Sequence, residues 1–110
     1  MDIAYSKEQN VFKYRVCAVM LHDQKILAMK DECSPYYYLP GGKVMFGETA
    51  ENAIKRELRE ELKIEAKIVR PLCLNQSFFT EDVNGMRYRR SCLCKCARQE
   101  QVLRSDRRQV

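Results

Sequence analysis

Glycine and proline are scarce in this 110-residue sequence, at 4 and 3 residues, and it has no low-complexity run or internal repeat. That scarcity excludes a collagen-like, solenoid or wholly disordered chain. No stretch approaches the ~20 apolar residues of a membrane-spanning helix. Histidine occurs once, as His22, in a context that reads as a surface turn rather than a metal ligand. The opening residues, Met1 to Glu8, hold no apolar signal-peptide core, so a reducing cytoplasm is the expected setting. What is present, 45% hydrophobic residues, suffices for the core of one domain, and the length is too short for two.

The net charge of +5 is unevenly spread. Between residues 87 and 110, eight basic residues (Arg87, Arg89, Arg90, Lys95, Arg98, Arg104, Arg107 and Arg108) stand against Glu100 and Asp106, a net +6. The first 86 residues therefore net −1, so the positive excess says nothing about a site in the body of the domain. Nucleic-acid binding by the Arg-rich end is disfavoured, because the basic residues lack a recognised fold motif and interleaved aromatics. Six cysteines would suit a disulfide framework in a secreted chain, but here Cys17, Cys33 and Cys73 are expected as free thiols. Cys92, Cys94 and Cys96 alternate, so a strand would point all three to one face. A zinc site would ordinarily put two to four residues between its cysteines, rather than the single residue here, and no paired Cys or His cluster lies nearby in sequence.

Along the chain, residues 1–10 are polar and read as a flexible N-terminus. Val11 to Met20 is rich in β-branched and aromatic residues and predicts a strand, His22-Asp23-Gln24 a turn, and Lys25 to Lys30 the return strand of a hairpin. Asp31 to Pro35 reads as a loop, and Pro40 keeps Tyr36-Tyr37-Tyr38-Leu39 extended. Thr49 is a candidate N-cap for a helix over 50–62, with Ala50, Ala53, Ile54, Leu58 and Leu62 on one stripe. Strands are expected over 64–74, 75–80 and 86–96, with an Asn-Gly turn signal in 82–85. The order of strands, one helix and strands describes an α/β domain over 11–96, followed by a basic tail at 97–110.

The helix is unusually acidic. Glu57 and Glu61 lie beside the apolar stripe and Glu60 on its flank, with Glu48 and Glu51 near the start. Ion pairs such as Glu51 with Lys55 and Arg56 with Glu60 account for part of this set. Three like charges within about one turn call for a cation among them, and hard oxygen donors suit Mg²⁺ or Mn²⁺. From spacing alone, a metal site and a solvated acidic face both stay open. The Pro40-Gly41-Gly42 turn upstream permits close backbone approach.

The stretch Gly42-x5-Glu48-x7-Arg56-Glu57-Leu58-x-Glu60-Glu61-x-x-Ile64 resembles the Nudix box of the MutT-like hydrolases, with Leu39-Pro40-Gly41-Gly42 as its lead-in. It departs at Lys63, where the box carries a second glycine. The end of the chain also departs, and the resemblance implies an atypical or truncated C-terminal region that leaves part of the sheet open at an edge.

The resemblance implies a Nudix-type α/β/α sandwich with a mixed sheet. It implies hydrolysis of a diphosphate linkage in a nucleoside diphosphate joined to another moiety, dependent on Mg²⁺ or Mn²⁺. Glu57, Glu60, Glu61 and the Gly41 carbonyl are the implied metal ligands, and Arg56 the residue that orients Glu57 or pairs with Glu48. Glu57 is the first choice for the base, Glu81 the second. The alternative is a catalytically impaired nucleotide-binding module. The expected partner is a nucleotide, with no membrane, and a homodimer stays open. Tyr36, Tyr37, Tyr38, Phe78 and Phe79 are placed either in the core or against a base.

Overall fold

The computed structural model describes residues 1–81 and 85–102; of the turn signal, residues 82–84 lie outside this set, as does the basic tail past 102. The elements are β1 (Ala4–Lys7), β2 (Asn10–His22), β3 (Lys25–Ile26), β4 (Gly41–Lys43), α1 (Ala50–Leu62), β5 (Ile64–Thr80) and β6 (Arg87–Val102). They form one mixed sheet whose main path runs β1-β2-β6-β5. β2 is its spine. Along one edge it takes β1, β4 and β3 in antiparallel register, and along the other it pairs in parallel with β6 from Asn10 to Met20. α1 covers one face, giving the expected α/β architecture; it is the one helix among the described residues. No helix among them is long and apolar enough to cross a membrane.

Local chemistry sets the element ends. Asp23 and Gln24, both at positive φ (51° and 64°), make the two-residue turn between β2 and β3 that matches strand twist. The Thr49 hydroxyl accepts from the Asn52 N–H at 3.1 Å and caps α1. At the other end Lys63 takes the left-handed conformation, φ 57° and ψ 43°, and its N–H reaches the Arg59 carbonyl. A lysine thus does the work of the missing glycine, at a modest steric cost.

Alternation along β2 turns Tyr14, Val16, Ala18 and Met20 onto α1, where Ala53, Ile54 and Leu58 meet them. Val44, Ile64, Ala66 and Ala97 complete this core. Ile54, Leu58 and Val16 are fully buried, each contributing about 1.5–3 kcal/mol by removal from water.

Four boundaries differ from the sequence reading. Residues 4–7, read as a flexible N-terminus, pair with β2, since an edge strand needs backbone partners more than apolar side chains. The return strand shrinks to Lys25–Ile26. Residues 64–80 form a single strand, whose ladder shifts register between Pro71 and Cys73; Pro71 has no N–H to donate, and β5 is an edge strand that tolerates it. β6 runs on through 97–102, part of the expected tail, because Ile64 pairs opposite Val102 and the ladder continues to that point. Beyond Ile68 the described residues place no helix over β5, where Val69, Leu74 and Phe78 are exposed.

Candidate active site

α1 and β4 build the site together. The core stripe fixes the rotation of α1, and that rotation aims Glu57 and Glu61 at the Gly41-Gly42 backbone of β4. The Gly41 N–H donates to Glu61 Oε1 at 3.2 Å. A Cβ on Gly42 would come within 2.5 Å of the Glu57 carboxyl carbon, so a side chain here would displace that carboxylate. A Cβ on Gly41 would meet the Val16 carbonyl oxygen at 2.1 Å, so β4 can lie against β2 only with glycine there.

Arg56 is the hub. Its Nε donates to Glu48 Oε2 at 3.1 Å and its Nη2 to Glu48 Oε1 at 2.7 Å, a bidentate pair. Nη2 also reaches the Lys43 carbonyl at 3.2 Å. Nη1 donates to Glu57 Oε2 at 2.9 Å and to Glu60 Oε1 at 3.4 Å. Arg56 therefore hydrogen-bonds to Glu57 and to Glu48 at once. Glu51 instead lies 3.8 Å from Lys55 on the exposed side of the helix.

Hydrogen bonds from Arg56 hold the Glu48 carboxyl below the usual glutamate range. Burial pushes Glu61 above that range; the Gly41 N–H opposes the shift, and the charge of Glu57 adds to it. Three carboxylates thus meet one guanidinium, and a fourth, Glu61, is held instead by the Gly41 N–H. A hard oxygen donor set with negative charge left over fits a divalent cation. Glu57, Glu60 and Glu61 are near neighbours, yet they do not form a set of three whose ligand oxygens all lie within 4.8 Å. Arg56 draws Glu57 and Glu60 to itself while the Gly41 N–H holds Glu61.

A family model described as the NUDIX domain matches residues 11–105. The chain belongs to the NUDIX family. An ADP-ribose pyrophosphatase of Methanocaldococcus jannaschii is 36% identical over 73 residues, covering 56% of this chain and 43% of that protein. The chain thus spans less than half the length of this curated relative. Among solved structures, the E. coli ORF135 protein is 31% identical, with TM-score 0.55, over 76% of this chain and 60% of that one. A MutT NUDIX hydrolase from Burkholderia pseudomallei is 25% identical, with TM-score 0.60, over 84% and 75%. A UDP-X diphosphatase, at 22% identity and TM-score 0.66 over 91% and 46%, shares the fold.

Within this Nudix chain, sequence reasoning missed two contributors. The Lys43 carbonyl anchors Arg56, and the charge of Arg15 acts on Glu61. Arg15 and Lys43 are register partners across β2 and β4, a pairing no local spacing reveals. Glu81, the second choice for the base, lies just past β5, where its charge acts on Lys13 and Arg90. Tyr36, Tyr37, Tyr38, Phe78 and Phe79 are exposed and do not fill the core. Tyr38 donates to Asp31 at 3.0 Å, and Phe79 stacks on Tyr88 at 4.9 Å.

The Glu48–Arg56 pair makes stability depend on pH. A carboxyl whose folded pKa is depressed stabilises the fold above its unfolded value, here 4.5, and loses that contribution as pH falls through the folded value. Glu48→Gln is expected to lose about 1–3 kcal/mol at pH 7, and to lose less than the parent on further acidification below 4.5. Urea unfolding of both proteins at neutral and acid pH checks this; parallel losses in the two would separate the pair from the acid transition.

Proposed function

We propose that this chain is a pyrophosphohydrolase that cleaves a diphosphate linkage in a nucleoside diphosphate joined to another moiety, with Mg²⁺ as cofactor and Mn²⁺ as substitute. The carrying observation is the Arg56 clasp, which joins Glu48, Glu57 and Glu60 beside the Gly41–Glu61 contact, the four glutamates and Arg56 at their positions in the Nudix box and Gly41 in its lead-in. The name of the Methanocaldococcus jannaschii relative supports ADP-ribose as the first substrate to try.

Glu57, Glu60, Glu61 and the Gly41 carbonyl would hold the cation. When bound, it supplies Lewis-acid polarisation of the phosphoryl oxygen, a lowered water pKa and neutralisation of the anionic substrate. Arg56 keeps Glu57 in place through Nη1 and leaves its other oxygen free to accept the proton of the attacking water. Glu48 holds the far side of the guanidinium, so the clasp cannot swing away from Glu57. Gly42 gives that carboxylate room, and the Gly41 N–H fixes Glu61 at the same turn.

A panel of nucleoside triphosphates, ADP-ribose, UDP-sugars and dinucleoside polyphosphates, assayed with Mg²⁺, Mn²⁺ and EDTA, tests the proposal. The expected result is release of a nucleoside monophosphate product with either metal and none with EDTA. Saturable nucleotide binding without product would instead favour the impaired binding module. Titration calorimetry of Mg²⁺ into Glu57→Gln, Glu61→Gln isolates the ligand set, and an affinity equal to the parent's would refute it.

A further inference from the structure

Three thiols from two strands meet on the face of the sheet opposite α1. Even-numbered residues of β2 from Tyr14 to Met20 pack on the helix side, so Cys17 turns the other way. Parallel pairing sets Arg15 beside Cys92 and Cys17 beside Cys94, which brings both β6 thiols to the same face as Cys17. The sulfurs of Cys17 and Cys94 are 3.2 Å apart, and those of Cys17, Cys92 and Cys94 all lie within 4.8 Å of one another. Among the described residues, no other trio of histidine, cysteine or carboxylate ligands gathers so closely. All three are free, Cys17 buried and the other two half-buried.

We propose that Cys17, Cys92 and Cys94 form a site for a thiophilic metal ion of the Zn²⁺ type, separate from the carboxylates of α1. Zinc–sulfur bonds of about 2.3 Å in tetrahedral geometry place sulfurs ~3.8 Å apart. The observed spacings, from 3.2 Å to no more than 4.8 Å, bracket that value, so the site closes by sub-ångström side-chain shifts. Soft thiolates select Zn²⁺ or Cu⁺ and reject Mg²⁺, which hard carboxylates prefer. The two sites therefore sort metals by donor chemistry. Binding releases the three thiol protons to solvent. Three thiolates leave a divalent ion with one net negative charge, and Arg15 and Arg90, whose charges act on Cys92, offset it. The fourth position is left to water or to Cys73, the exposed register partner of Cys94, whose side chain hydrogen-bonds to Cys94 though it lies outside the trio. The C-x-C spacing alone argues against zinc; the third donor stands 77 positions from Cys94.

The test is alkylation of the full parent chain, under reducing conditions, with and without one equivalent of Zn²⁺, with labelled cysteines located by mass spectrometry. Zinc is expected to slow labelling of Cys17, Cys92 and Cys94 at least ~10-fold, because a coordinated thiolate is no longer a free nucleophile. Cys33, exposed on its loop, should label at an unchanged rate. Co²⁺ loading should give a thiolate charge-transfer band, absent in Cys92→Ser and Cys94→Ser but kept in Glu57→Gln, Glu60→Gln, Glu61→Gln. Equal labelling with and without zinc overturns the proposal, and so does a cobalt spectrum that depends on the glutamates instead. A Cys17–Cys94 disulfide that persists in reductant overturns it as well. The labelling arm uses the unmutated protein and does not depend on the folding of any variant.

Discussion

Glu57→Gln is expected to lower hydrolysis by at least ~10²-fold, the usual effect of losing a general base or a ligand to a catalytic metal. The side chain is 14% exposed, with one oxygen 2.9 Å from Arg56 Nη1 and the carboxyl group packed over Gly42. Glutamine keeps the volume and removes both the charge and the basic oxygen. Glu51→Gln provides the comparison. It changes the same residue type on the same helix, but its partner is Lys55 at 3.8 Å, an exposed pair worth ~0.2–0.5 kcal/mol. Glu51→Gln should remain near the parent rate. The assay is steady-state turnover with Mg²⁺, and circular dichroism on each variant verifies the fold. Equal loss in both folded variants would sink the assignment of Glu57.

Leu58→Ala is expected to destabilise the domain by ~2–5 kcal/mol, from lost transfer energy plus the cavity left behind. Leu58 is fully buried with Ile54, Val16 and Val44 where α1 meets the sheet. A small domain holds only ~5–15 kcal/mol of stability in total, so the midpoint of urea unfolding should fall by a large fraction. Leu62→Ala, at a partly buried position in the last turn of α1, should lose less. The site depends on the same contact, because the rotation set by Ile54 and Leu58 aims Glu57 and Glu61 at β4. A change below ~1 kcal/mol would mean that α1 is not seated on the sheet as described.

Much of the helix and its chemistry is legible in the amino-acid sequence. The spacing of Ala53, Ile54 and Leu58 determines which side of α1 is buried, and Thr49 marks its start. The box from Gly42 to Ile64 names the carboxylates and Arg56. These signals are local: they act within a turn or two of chain, where the 3.6-residue period ties position to direction. The substitution at Lys63 is equally visible, and the backbone there adopts the left-handed turn that glycine would have made.

Tertiary structure decided what strand register controls. Parallel pairing of β2 with β6 put Cys17 against Cys94, and antiparallel pairing of β2 with β4 put Arg15 opposite Lys43. It also decided that Arg56 gathers Glu57 and Glu60 while Glu61 is tied to Gly41. The sequence by itself determined the family, the helix and the identity of the acidic groups. Which distant residues face them rests on register. A one-residue slip in a strand sends every side chain to the other face, and register is chosen by burial over the whole sheet rather than by spacing within one segment.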